Sequence, residues 1–87
     1  MRLLPTERFR RGYLRLPPNI QEQVDQALDR LLSNPRHPSL QVKKMQGTAG
    51  VWELRATKGY RVTFQIERDL YILRKVGAHD ILLGRID

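Results

Sequence analysis

The sequence contains no cysteine, so neither a disulfide framework nor a thiolate metal site is open to it. Histidine is scarce too: His79 with Asp80 is not by itself a metal site when His37 is the one other imidazole in the chain. No apolar run approaches the ~18 residues of a membrane span, and the start, MRLLPTERFRR, lacks the apolar middle of a secretory signal. The expectation is a soluble, cytoplasmic protein with no membrane partner and no small-molecule cofactor. Acidic residues are few, nine Asp and Glu against sixteen Lys and Arg, which gives a net charge of +7. On so short a chain that is either a solvated basic surface or the footprint of a nucleic acid or an acidic partner. At 87 residues the chain makes one domain (1–87) with one core.

What is present begins with two helices. Thr6 is suited to cap a short helix running to about Arg15, with Glu7 complementing the dipole of its first turn. Phe9, Tyr13 and Leu16 fall on one side, and Gly12 weakens the element. Arg2, Arg8, Arg10, Arg11 and Arg15 line its outside, as a solvated face or as phosphate contacts. After Leu16-Pro17-Pro18, the apolar positions Ile20, Val24, Ala27, Leu28, Leu31 and Leu32 recur at helical spacing and predict an amphipathic helix over Asn19 to Ser33. It stops at Asn34-Pro35, and Arg36-His37-Pro38 makes a rigid loop in which His37 reads as an exposed histidine rather than a ligand or base.

Strands follow. Leu40 to Met45 reads as a short strand carrying Lys43 and Lys44, joined through Gln46 to Gly50 to the central stretch VWELRATKGYRVTFQI, Val51 to Ile66. There Trp52, Leu54 and Ala56 alternate with Glu53 and Arg55, and Tyr60, Val62, Phe64 and Ile66 alternate with Arg61, Thr63 and Gln65: two half-buried strands of a hairpin. A three-residue loop, Thr57-Lys58-Gly59, sets Ala56 opposite Tyr60, Leu54 opposite Val62 and Trp52 opposite Phe64, and places Gly59 at a left-handed position. The same register sets Arg55 opposite Arg61 and Glu53 opposite Thr63. Trp52 shares the parity of Leu54 and reads as core rather than as a base-stacking platform. Past Glu67-Arg68-Asp69, Leu70 to Val76 is a strand covered on both faces, as in a sheet interior, with a register that parity alone does not decide. Gly77 to Asp80 is expected to break it, and Ile81 to Asp87 has no assigned conformation. The fold class is α+β: two N-terminal helices packed on one face of a three- to four-stranded, mainly antiparallel sheet.

If the apolar face of the hairpin rests on the Ile20 to Leu32 helix, then Glu53, Arg55 and Arg61 share the opposite, open face, joined by one or both of Lys43 and Lys44, with His79 just past the last strand. Such a surface suits a polyanion and holds the parts for cutting RNA. That reaction needs a base for the 2′-hydroxyl proton, cations to stabilise the five-coordinate phosphorus, and an acid for the departing 5′-oxygen. Arginine fits the middle role because its planar donors grip phosphate oxygens in pairs. Two facing arginines repel, and a bound phosphate between them would explain the pairing.

The order two helices, KKMQG, VWELR, GYRVTF, LRKVGAHD resembles the RelE/ParE superfamily of bacterial toxin–antitoxin toxins from about Thr6 to Asp80. Its most specific pieces are Gly59-Tyr60-Arg61-Val62 and Val76-Gly77-Ala78-His79-Asp80. The resemblance implies a compact toxin with a cognate antitoxin partner and, in the RelE-like branch, ribosome-dependent endonucleolytic cutting of messenger RNA that inhibits translation. It makes Arg61 similar to the arginine that contacts the scissile phosphate, and puts His79 where that branch has a catalytic arginine or histidine. Arg55 matches a basic position on the preceding strand, and Lys43 and Lys44 fall in the basic stretch before the loop. Glu53 stands about where RelE itself has a lysine, although Trp-Glu-Leu-Arg is similar to the HigB-like branch. The tail lacks the C-terminal tyrosine of several relatives, which leaves His79 or Glu53 as base, and it lacks the paired lysines that end many HigB-like toxins. The expected assignment is catalysis by Arg61, Arg55 and His79 with Glu53, without a metal, and RNA held by Lys43, Lys44, Lys75 and Arg74. A ParE-like inhibitor of DNA gyrase and a catalytically inactive homologue that binds RNA or antitoxin are the alternatives.

Overall fold

Two helices lie on one face of a five-stranded sheet in the computed structural model, which describes residues 1–79. The chain runs through β1 (Arg2–Pro5), α1 (Glu7–Leu14), α2 (Pro18–Ser33), a 3-10 turn at Pro38–Leu40, β2 (Lys43–Lys44), β3 (Val51–Thr57), β4 (Tyr60–Glu67) and β5 (Leu70–Ala78). The strands lie in the order β1-β5-β4-β3-β2. Thus the sheet has one strand more than the expected maximum of four. The added strand, β1, pairs in parallel with β5, and the other pairings are antiparallel. Asp80 and the tail 81–87 lie outside the described residues.

Both helices form where the capping chemistry and apolar spacing place them. Thr6 is the N-cap of α1 and its Oγ1 accepts from the Phe9 N–H at 3.2 Å. The same hydroxyl donates to the Leu73 carbonyl at 2.7 Å, tying the start of the helix to β5. Helix α2 opens on Pro18, where a missing N–H costs nothing, and buries Val24, Ala27, Leu28 and Leu31. Helix α1 rests on β5 and α2 on β3, and between helices and sheet lie Phe9, Leu54, Val62, Phe64 and Leu73. Gly12 has a reason beyond helix propensity: a Cβ there would stand 3.0 Å from the Val76 carbonyl oxygen, so the glycine lets α1 approach β5.

Two bulges settle the registers. Arg55 pairs with Arg61, Leu54 with Val62 and Trp52 with Phe64, as expected, but Thr57 pairs with Tyr60 and Ala56 is the extra residue. The turn is therefore the two residues Lys58-Gly59, not three. The bulge absorbs the one-residue slip that would otherwise mix the faces, and Gly59 does not adopt a left-handed φ. On β5 the extra residue is Arg74, between Lys75 opposite Thr63 and Leu73 opposite Phe64. This is why parity failed there: Leu73 and Val76 are both core residues although an odd number of positions separates them. Three further boundaries differ from expectation. Leu40 belongs to the 3-10 turn, strand β2 is confined to Lys43–Lys44, and β5 continues through Gly77 to Ala78 instead of breaking.

Candidate functional site

The sheet face turned away from the helices carries two cross-strand rows of side chains. In one, Lys43 of β2 pairs with Glu53 of β3, Glu53 with Thr63 of β4, and Thr63 with Lys75 of β5. One step along, Arg55 pairs with Arg61, and Arg61 with Gly77. Strand alternation puts both rows on the same face, because Glu53 and Arg55 are two residues apart on β3, as are Arg61 and Thr63 on β4. The bulge at Arg74 adds a further cation to that face, since Arg74 donates from Nη1 to Gln65 Oε1 at 2.7 Å and Gln65 shares the parity of Arg61.

The two arginines are held differently. Arg61 Nη1 donates to the carbonyls of Thr57 at 2.8 Å, Tyr60 at 3.1 Å and Lys58 at 3.3 Å, so the guanidinium is folded back over the hairpin turn. Burial lowers its pKa; the Glu53 carboxylate opposes that shift and the Arg55 charge adds to it. Arginine remains charged under physiological conditions all the same. Arg55 is half-buried and has no hydrogen-bond or ion-pair partner among the described residues. One cation is anchored and the other is free to meet a ligand.

His79 follows directly on β5, and its N–H donates to the Gly59 carbonyl at 2.8 Å. That contact ties the backbone of His79 to the same turn over which Arg61 folds, two residues beyond Gly77. Its Nδ1 is buried and has no hydrogen-bond partner among the described residues.

Glu53 departs from expectation. It shares the face of the arginines, yet it is only 1% exposed, so the face is not open at this point. Its Oε1 lies 3.2 Å from Lys43 Nζ, and the approach is close enough for an ion pair but too poorly aligned for a hydrogen bond. Among the described residues neither carboxylate oxygen has a hydrogen-bond partner, nor has the buried Thr63 hydroxyl opposite. Of the two lysines of β2, Lys43 joins this cluster. Lys44 pairs with Trp52 and so belongs to the helix-facing side, where Trp52 packs against the core.

His37 has a local task, its Nδ1 accepting from the Ser39 N–H at 3.1 Å to cap the 3-10 turn. The arginines of the N-terminal segment, Arg2, Arg8, Arg10, Arg11 and Arg15, are exposed and distributed over β1, α1 and the C-cap of α1 rather than joined to the sheet cluster. Among the described residues no group of three or more His, Asp or Glu is arranged to hold a metal ion, and no helix is long and apolar enough to cross a membrane.

No protein-family model matches the sequence, and no curated protein matches it. Solved structures do. The YoeB/ParE toxin from Agrobacterium tumefaciens superposes with a TM-score of 0.76 over 91% of this chain and 99% of its own, at 18% identity. YafQ from E. coli strain BL21(DE3) gives 0.79 over 94% and 97%, at 11% identity. A chain of the RelB-RelE antitoxin-toxin complex from Methanococcus jannaschii gives 0.75 over 97% and 99%, at 16% identity. This chain has the fold of those toxins.

On this RelE-type fold the resemblance read from GYRV and VGAHD is borne out as one of architecture. The sequence reading missed Thr63, Gln65 and the Lys43–Glu53 ion pair as members of the site. Thr63 and Gln65 were legible in principle, since the hairpin register already placed them beside Arg61. The ion pair was not, because it depends on a two-residue strand whose register only the fold supplies.

Proposed function

We propose that this protein is the toxin of a toxin–antitoxin pair and that it acts as an endoribonuclease on messenger RNA at the ribosome, inhibiting translation. The observation that carries this reading is the direct pairing of Arg55 with Arg61 on the polar face, beside the turn to which His79 is tethered. A like-charged pair directly across a sheet costs a few tenths to about 1 kcal/mol, and a phosphate between the guanidiniums turns that cost into a binding site. In the scheme, a phosphodiester is gripped by Arg55 and Arg61, which stabilise the negative charge that develops on the phosphoryl oxygens as the 2′-oxygen attacks phosphorus and the bond to the 5′-oxygen breaks. His79 moves one proton, as base toward the 2′-hydroxyl or as acid toward the 5′-oxygen, and solvent water exchanges the other. Charge stabilisation falls to the two arginines, so the scheme requires no metal. Lys43, Lys75 and Arg74 extend the basic surface along which the RNA backbone lies.

The partner is a cognate antitoxin. Toxins of the same fold have been solved within antitoxin complexes, RelB-RelE and DinJ-YafQ among them, and the net charge of +7 suits an acidic segment. The site and the cytoplasmic substrate belong to one reading, tested by inducing wild type, Arg61→Ala and His79→Ala in cells and mapping the ends of messages. Growth arrest with new message ends from wild type alone is the expected result. Unimpaired growth with wild type, or equal arrest from all three, would count against it, and gyrase-linked DNA breaks with intact messages would assign a ParE-like activity instead.

A further inference from the structure

Glu53 is hard to explain as part of the fold. A carboxylate at 1% exposure with both oxygens lacking hydrogen bonds is costly, and a neutral residue such as valine or threonine would serve mid-strand at lower cost. Its lysine partner is misaligned and two-thirds in solvent, with 66% of the side chain exposed, which makes it a weak compensation. Other charges share its face: Arg55 is two residues along the same strand, Arg61 lies on the diagonal next to Glu53's partner Thr63, and Lys75 stands on the far side of Thr63 in the same row. Burial also means that no RNA hydroxyl reaches this carboxylate, so the role of base expected from sequence does not suit it.

We infer that Glu53 is a positioning residue, a buried counter-charge pinned by Lys43 that keeps Arg55 and Arg61 side by side before an anion arrives and limits how tightly they hold it afterwards. The inference rests on the proposed phosphate-binding role of the two arginines. Without Glu53 the unpartnered Arg55 swings away from the anchored Arg61, and the remaining charge attracts phosphate more strongly. A unit charge about two strand positions away, in a partly buried setting, changes anion affinity by roughly tenfold. Tight holding of substrate and product without correct placement slows turnover.

The test uses the full chain labelled with nitrogen-15 and follows the arginine Nε–H signals while inorganic phosphate is titrated. Two variants are compared with wild type: Glu53→Gln, and the double variant Lys43→Met/Glu53→Leu, which leaves net charge unchanged and replaces the ion pair by packing that keeps the fold. In wild type, phosphate moves the Arg55 and Arg61 signals together. In both variants the Arg55 signal is displaced before phosphate is added; affinity rises roughly tenfold in Glu53→Gln and by less in the double variant, which also loses the Lys43 charge, and cleavage of message on ribosomes by Glu53→Gln falls in kcat while KM also falls. Arginine signals and phosphate affinity equal to wild type in the variants would overturn the inference and leave Glu53 a structural residue, as would a wild-type protein whose arginines ignore phosphate. A wild type that binds phosphate in this Glu53-dependent way but leaves messages intact would uphold the positioning role and sink the RNA-cutting reading instead.

Discussion

Lys43 and Glu53 face each other across β2 and β3 with Nζ 3.2 Å from Oε1, the lysine in water and the carboxylate buried. The stability cost of breaking the pair therefore depends on which partner is removed. Lys43→Met leaves a buried charge without its nearest counter-charge, but the lysine is misaligned and mostly in solvent, so the expected loss is about 1 kcal/mol. Glu53→Gln leaves only a solvated lysine, and its loss should be the smaller of the two. Urea unfolding of both variants checks the asymmetry; equal losses would mean that Arg55 and Arg61 already compensate the carboxylate fully.

Arg61 and Arg55 should separate in the same kind of experiment. Arg61→Ala removes donors to three turn carbonyls and is expected to cost about 1 kcal/mol. Arg55→Ala relieves repulsion and breaks no hydrogen bond among the described residues, so its stability should match or slightly exceed wild type. Both should weaken phosphate binding, which distinguishes a ligand site from a structural arginine.

Gly12→Ala tests the approach of α1 to β5. Helix propensity alone favours alanine by about 1 kcal/mol. A Cβ 3.0 Å from the Val76 carbonyl oxygen and 3.4 Å from its Cγ1 meets a strand that cannot easily give, so the net change is expected to be a loss of about 1 kcal/mol. Because Val76 lies three residues before His79, the variant should also perturb the His79 ring signals in a proton NMR spectrum.

Tyr13 gives an alkaline pH dependence. Its hydroxyl donates to Asp25 Oδ1 at 2.7 Å, linking α1 to α2. That hydrogen bond first, then burial and the carboxylate charge, raise its pKa above the ordinary 10.0. The folded protein therefore holds this proton more tightly than the unfolded chain. The stabilisation is complete below about pH 10 and is lost as pH rises through the raised folded value. The stability difference between wild type and Tyr13→Phe should hold up to about pH 10 and shrink as pH rises beyond it; a difference independent of pH would mean that the hydrogen bond does not form.

Much of this molecule was legible where patterns are local. Thr6, the Ile20 to Leu32 spacing and two apolar pairs of the hairpin, Leu54 with Val62 and Trp52 with Phe64, were enough to fix both helices and to set Arg55 against Arg61, although the third expected pair, Ala56 with Tyr60, gives way to the bulge. What escaped depends on distant partners. Strand β1 is four residues ending in proline, and it is a strand only because β5, nearly seventy residues later, pairs with it. The bulges at Ala56 and Arg74 break the period of two on which the reading relied. Glu53 obeyed its alternation, yet its burial is a property of the assembled sheet.

The most direct measurement places purified protein with ribosomes programmed with a defined message and maps cleavage by primer extension, comparing wild type with Arg61→Ala that has been shown to fold. Discrete cuts with wild type, reduced at least a hundredfold by the substitution, are expected from loss of a charge-stabilising group. An intact message with wild type, or equal cutting by both proteins, would contradict the assignment of the paired arginines as the cleavage centre.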